Sequence, residues 1–138
     1  MNNAARPQER RKYRRFPAAT LKAQIKSKRG FFTHWQDVDV SDFNTHGIAI
    51  NLNHEPEIEQ AFSLKLILEI DMGEITIEKI EATAKNKVLS DKVWRTGLLF
   101  DEIKGSKAEE TLSKINRISQ MLEKSLALNE RLMGQRPL

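Results

Sequence analysis

Cysteine is absent from this chain of 138 residues, and aromatic residues make up only 7% of it. Without cysteine the protein has no disulfide, no thiolate nucleophile and no zinc site with cysteine ligands. No apolar run approaches the roughly 20 residues that a membrane-spanning helix needs, and the N-terminus lacks the apolar core of a signal peptide. We therefore expect a cytoplasmic protein with no membrane span.

Catalytic and metal-binding motifs are also missing from the sequence. The three histidines (His34, His46 and His54) do not stand at the spacings of a metal site. The chain contains no GxSxG nucleophile elbow, no GxxxxGK[ST] phosphate loop and no GxGxxG dinucleotide motif. The sequence thus predicts neither an enzyme nor a bound metal or organic cofactor.

Positive charge is distributed unevenly along the chain. The net charge is +4, but residues 1–30 hold ten Lys/Arg and one acid, whereas the remainder holds thirteen Lys/Arg and eighteen acids. Five of the basic residues fall within the stretch ERRKYRRFPA, which begins at Glu9. Such an arm is typical of a protein that meets a polyanion or a phosphorylated ligand. A basic arm that only aids solubility, or that contacts the acidic body, explains the same charge pattern.

Alternating apolar and polar residues predict a mainly β protein of one domain. The size and the 39% hydrophobic content suit one modest core. Six or seven short strands, joined by turns rich in Gly, Asn and Asp, favour a small antiparallel barrel or sandwich. The predicted extended segments are residues 20–28, 31–43, 47–52, 63–70, 75–89 and 93–100.

The hydrophobic period changes from two to 3.6 after Gly105. Ser106 and Glu109 have the spacing of a capping box, so we predict a helix from about Ser106 to Leu132. At about 39 Å this helix would pack partly on the barrel and partly on another subunit or partner; alternatively, it breaks and folds back. Its two apolar stripes are Leu112, Ile115, Leu122 and Leu126, and Ile118, Met121, Leu128 and Leu132.

Two short segments look like halves of one ligand site. The first is the arginine run, because the guanidinium group is a planar fork that binds phosphate bidentately and pairs with the O6/N7 edge of guanine. The second is DFNTHG, from Asp42 to Gly47. There a carboxylate can accept the N1–H and N2–H₂ donors of guanine, Asn44 can bond either a base or the backbone, and the glycine leaves room for a ligand. A ligand with two phosphates and two guanines would use both halves.

These two segments resemble the motifs of the PilZ domain, the bacterial receptor family for cyclic di-GMP. That family carries RxxxR on an N-terminal arm, followed by [D/N]xSxxG at the first strand corner. Arg11 and Arg15 match the first motif, and Pro17 after them favours this register over Arg10 with Arg14.

The second PilZ motif matches without a gap from Asp42 to Gly47, with Asn44 in the position of the family's serine. The WRTGLLF segment is similar to the family's last strand, so the resemblance covers about residues 9–102. It implies a six-stranded antiparallel barrel with a long C-terminal helix and a flexible basic arm. It also implies three segments: a tail of residues 1–8, a barrel domain of residues 9–103 and a helix with tail of residues 104–138.

The resemblance also implies a function. The chain would bind cyclic di-GMP and order its arm over the barrel. It would then relay the signal to an unidentified effector protein in motility, biofilm or polysaccharide control. Arg10, just before RxxxR, would suit an intercalated dimer of the ligand, and the helix would suit a homodimer. The implied ligand-binding residues are Arg10, Arg11, Arg15, Asp42, Asn44 and Gly47.

Two other functions fit the sequence. One is a nucleic-acid-binding barrel with a basic arm, although the acidic body and the scarcity of aromatic residues disfavour it. The other is a degenerate PilZ module that binds no nucleotide and acts only through protein contacts, which the replacement of serine by Asn44 keeps open.

Overall fold

The computed structural model describes residues 20–27 and 34–134, with the side chains of the helix described as far as Leu126. Arg10, Arg11 and Arg15 lie outside the described residues, as does the turn predicted at residues 28–30. The flexible arm therefore stays a prediction.

Six strands and one helix make up the described fold. Their bounds are β1 Thr20–Ser27, β2 Gln36–Phe43, β3 Gly47–Leu52, β4 Ala61–Ile70, β5 Gly73–Ser90, β6 Val93–Phe100 and α1 Ala108–Gly134. The first, third and sixth strands match the sequence prediction to within one residue. Strands β4 and β5 each begin two residues earlier than predicted, because the first two residues of each strand pair with the other strand.

The strands form a closed antiparallel barrel in the order β1-β2-β3-β6-β5-β4. This arrangement confirms the predicted fold class, a mainly β six-stranded barrel with a C-terminal helix. Four of the six pairings join strands that are consecutive in sequence. The other two, β1 with β4 and β3 with β6, close the ring. Closure removes the exposed sheet edges that an open sheet would present to other chains.

Side-chain alternation fills the barrel interior. Buried aliphatic residues recur at every second position of β3 and β4, and large side chains such as Phe62, Leu64 and Leu66 are fully buried. The outward positions carry polar or charged groups, many of them joined across strands, as Lys22 is to Glu69 at 3.1 Å. This pattern produces a single core that belongs to the whole ring.

The β5–β6 hairpin turns at Asp91 and Lys92, whose φ angles are 51° and 70°. Two consecutive residues with positive φ are typical of a type I′ turn, whose twist matches that of the flanking strands. The sequence predicted this turn at residues 90–92.

Helix α1 is continuous over 27 residues, or about 40 Å. The alternative that it breaks and folds back is therefore wrong. It begins at Ala108 rather than at Ser106. Glu109 and Glu110 lie in its first turn, where negative charges interact favourably with the helix dipole. In the described part of the chain, no helix has a stretch long and apolar enough to cross a membrane.

The helix packs on the barrel through the middle of its predicted apolar face. Ile115 and Ile118 are buried in the barrel core, and Met121 and Leu122 pack against it. Lys114 anchors the same side by donating from Nζ to the carbonyl oxygen of Thr76 in β5 at 2.9 Å. The two predicted stripes thus merge into one contact.

Leu112 and Leu126, at the two ends of the first predicted stripe, stay 46% and 45% exposed. The homodimer and the segment boundaries at residues 8/9 and 103/104 stay predictions.

Replacing Ile118 by Ala should lower the free energy of unfolding by about 3 kcal/mol, because it leaves a cavity where the helix meets the barrel. Urea unfolding followed by circular dichroism measures this. Leu112→Ala is the matched control on the exposed side of the same helix, with an expected loss of about 0.5 kcal/mol. Equal losses for the two variants would contradict the described packing.

Candidate functional site

The corner between β2 and β3 is held by the side chain of Asn44. Its Oδ1 accepts hydrogen bonds from the backbone N–H groups of His46 at 2.7 Å and of Gly47 at 3.0 Å. The backbone N–H of Asn44 donates in turn to the carbonyl oxygen of Gly47 at 3.0 Å. The sequence left open whether Asn44 bonds a base or the backbone. Its Oδ1 bonds the backbone. The amide Nδ2 donates to no residue in the described part of the chain.

Close packing of β3 against β6 explains the glycine at this corner. A Cβ atom on Gly47 would lie 2.2 Å from the carbonyl oxygen of Leu98, which is far inside van der Waals contact. The backbone N–H of Phe100 also donates to the carbonyl oxygen of His46 at 2.9 Å, and the ring of Phe100 packs on that of Phe43 with centroids 6.0 Å apart. The corner is thus fixed by the neighbouring strand.

A β-bulge in β2 turns Asp42 to the outside of the barrel. The alternation through Val38 and Val40, which are half-buried, would direct Asp42 inward. The register with β3 shifts between Val40 and Asp42, so that Asp42 pairs with Ala49 on the outer face. One extra residue in a strand reverses the faces of all that follow. Oδ1 of Asp42 accepts from the backbone N–H of Phe43 at 2.9 Å, and no described residue donates to its Oδ2.

A second bulge, in β5, has the same effect on Asn86. The register with β6 shifts between Ala84 and Asn86, which brings Asn86 opposite Gly97 on the outer face. Asp42, Ala49, Gly97 and Asn86 therefore form one row across four adjacent strands. The two middle residues have almost no side chain, and the amide group of Asn86 lies over Gly97, where an added Cβ would come within 2.5 Å of its Oδ1.

The row runs through a shallow groove of about 610 Å³ on the outer face of the barrel. The groove is open to solvent along its length, and its floor is backbone and small residues. Its lining comprises Asp42, Phe43, Asn44, His46, Gly47, Ile48, Ala49, Lys85, Asn86, Val88, Ser90, Arg95, Gly97, Leu98 and Leu99.

Three of the groove-lining side chains carry charge at neutral pH: Asp42, Lys85 and Arg95. The Nζ of Lys85 is already paired with the carboxylate of Glu59, at 2.9 Å from Oε2. Arg95, by contrast, is exposed and forms no ion pair with any residue that the structure describes. The groove thus offers a carboxylate at one side and an unneutralised guanidinium at the other.

The structure brings together three of the residues that the sequence predicts for the site, Asp42, Asn44 and Gly47, at one end of the groove. Their role in ligand binding stays a prediction. Sequence reasoning missed Arg95 and Asn86. Alternation along β6 places Arg95 on the same face as Gly97, so the sequence did contain a signal for Arg95. No such signal existed for Asn86, because its outward position depends on the bulge.

Metal ligation has no support among residues 20–27 and 34–134. No three side chains of His, Asp or Glu come together there as a metal site would need. His46 and His54 are exposed and lie in different loops.

The comparisons with known proteins bear on the fold. No family model matches the sequence, and no curated protein matches it. Among solved structures, the fold is similar to that of the K. pneumonia MrkH–c-di-GMP complex, with a TM-score of 0.55 and 16% sequence identity. The match covers 82% of this chain and 50% of that one, so the chain spans about half of the length of that protein. At this level of identity the similarity establishes a shared fold.

Replacing Asn44 by Ala should lower the free energy of unfolding by about 2 kcal/mol, because two backbone N–H groups lose their acceptor. Urea unfolding is again the measurement. Asn44→Asp keeps an oxygen in the same place and should stay close to the unsubstituted protein. An equal loss in both variants would mean that the amide nitrogen, and not Oδ1, stabilises the corner.

Proposed function

We propose that this protein is a PilZ-type receptor for cyclic di-GMP rather than an enzyme. The observation that supports this most directly is the meeting of Asp42, Asn44 and Gly47 at one end of an open groove on the outside of the barrel. These are the three residues that match the second motif of the family. The similarity of the fold to a protein solved with c-di-GMP is consistent with the proposal.

The hydrogen-bonding groups of the groove suit a guanine base. Oδ2 of Asp42 has no described donor, so this carboxylate would accept from the N1–H and N2–H₂ groups of guanine. The Nδ2 group of Asn44 would donate to a phosphate or carbonyl oxygen, while its Oδ1 keeps the corner in shape. The replacement of serine by asparagine is therefore compatible with binding, since the asparagine supplies both a structural acceptor and a spare donor.

The strand register brings the start of β1 to the same end of the barrel as this corner. Ala23 pairs with Val38 and Gln24 with Asp37, so Thr20 at the start of β1 lies beside the end of β2. Arg15 lies five positions before Thr20, a span of at most about 17 Å when fully extended. Arg15, and Arg11 four positions further from Thr20, would thus be able to reach a ligand seated against Asp42.

Ligand binding would order the arm. Fixing the backbone of a residue costs about 1–2 kcal/mol, and a charge-assisted hydrogen bond returns about 1.5–3 kcal/mol. Several bonds from Arg11 and Arg15 must therefore form together, and this makes the arm a switch with two states. We propose that an effector protein reads the ordered state, in the control of motility, biofilm or polysaccharide. Arg10 would add a contact to a second, intercalated ligand molecule.

The described tryptophans disfavour the alternative of a nucleic-acid-binding barrel. Lys26 and Lys65 lie over the ring of Trp35 at 5.6 and 5.9 Å from its centroid, and Lys87 lies 5.7 Å from that of Trp94. Both rings are therefore engaged by cations of the protein itself. Base stacking along a single strand needs open aromatic faces.

Replacing Arg11 or Arg15 by Ala should weaken binding of cyclic di-GMP at least tenfold, because each removes a charge-assisted contact. Isothermal titration calorimetry measures the dissociation constant. Arg14→Ala removes the same charge from the same run and should bind nearly as well as the unsubstituted protein. Full affinity in both the Arg11 and the Arg15 variant would reject the assignment of this arm.

Replacing Asp42 by Asn should weaken the same binding about tenfold. The amide has nearly the same shape, but it presents one donor where guanine needs two acceptors. Asp39→Asn is the matched control, since Asp39 is exposed in the same strand and does not line the groove. If the two variants lose affinity equally, the effect is one of net charge and Asp42 does not contact the base.

A further inference from the structure

Arg95 lies on the outer face of β6 in the row next to that of Asp42. It pairs with Asn51 of β3 on one side and with Val88 of β5 on the other. Asn51 and Val88 carry no charge, and no acidic side chain of the described chain forms an ion pair with the guanidinium. An arginine that has no ion-pair partner among the described residues and lines a groove is a candidate for contact with a ligand.

The separation of Arg95 from Asp42 suits a base held between them. They stand two strands apart and one two-residue step apart along the strands, so their Cα atoms are about 12 Å from each other. A short carboxylate, a purine with its hydrogen bonds, and a long arginine side chain together span such a distance. Ala49 lies in the row between them and has no side-chain atom beyond Cβ to obstruct a flat ring, whereas the amide group of Asn86 lies over Gly97.

Guanine has the pattern of donors and acceptors that these two ends require. Its N1–H and N2–H₂ donors would face the carboxylate, and its O6 and N7 acceptors lie on the edge that arginine recognises bidentately. Adenine offers an N6–H₂ donor in place of O6, and this donor would oppose the donors of the guanidinium.

We propose that Arg95 is a specificity-determining residue, which selects guanine over adenine by binding its O6/N7 edge across the groove from Asp42. This inference rests on the proposed function, because it assigns a residue to the same ligand. It adds a contact from the barrel wall to those that the two motifs imply. A phosphate contact would instead use only the charge of Arg95 and would not distinguish the two bases.

The test is calorimetric titration of the full chain with cyclic di-GMP and with cyclic di-AMP. Arg95→Ala should weaken binding of cyclic di-GMP about tenfold and leave the weak binding of cyclic di-AMP unchanged, so that the selectivity falls by the same factor. Arg95→Lys keeps the charge but loses the fork, and should recover little of the loss. Arg117→Ala, on the exposed surface of α1, removes the same charge far from the groove and should bind as the unsubstituted protein does.

Four results would overturn the inference. Unchanged affinity and selectivity in Arg95→Ala would reject Arg95 as a ligand contact while leaving the proposed function in place. Full recovery by Arg95→Lys, or equal losses for both dinucleotides, would show a phosphate contact and reject base recognition. No binding of cyclic di-GMP by the unsubstituted protein would reject the proposed function and this inference together. Because Arg95 is exposed, equal unfolding free energies of the variants would confirm that each of them folds.

Discussion

The pairing of β3 with β6 is the contact on which the rest of this structure depends. These strands are far apart in sequence, and their hydrogen bonds help to close the barrel and complete its core. The pairing is tight enough at Gly47 that no side chain fits there. It also sets the β2–β3 corner beside the strand that carries Arg95 and Gly97. Without this contact the two sides of the groove would belong to separate hairpins.

Two one-residue bulges convert this barrel wall into a groove with polar sides. Each lies in a strand next to the central pair, one before Asp42 in β2 and one before Asn86 in β5. Each turns a polar side chain outward that the plain alternation would have buried. The strands between them contribute two small residues, Ala49 and Gly97, and the amide group of Asn86 lies over Gly97. The outer face of the wall therefore carries no large side chain at these two positions.

The charges of the protein are divided unevenly along its chain. The basic residues concentrate in the first 30 positions, whereas the rest of the chain has more acids than bases. An arm of like charges repels itself until an anion neutralises it, and an acidic body limits attraction to nucleic acid at large. Helix α1 shares the barrel core through Ile115 and Ile118.

Much of the fold follows from local patterns that the sequence displays directly. The helix was predicted closely because its apolar period of 3.6 runs without interruption, and β6 because it is a short segment that follows a turn. The corner at Asn44 and Gly47 was predicted as a turn from its residue types. The start of β4 was not predicted, because it depends on pairing with other strands. The outward position of Asn86 was not predicted either, because it depends on a bulge.

By itself, the sequence determined the fold class, the order of the elements and the identity of two candidate half-sites. The tertiary structure alone decided how one half-site is built. In the folded protein, Oδ1 of Asn44 accepts hydrogen bonds from the backbone, Asp42 faces outward, and Arg95 lies across the groove from Asp42. The reason is physical: periodicity is a property of neighbouring residues, whereas register, bulges and closure are settled only when strands from distant parts of the chain share one core.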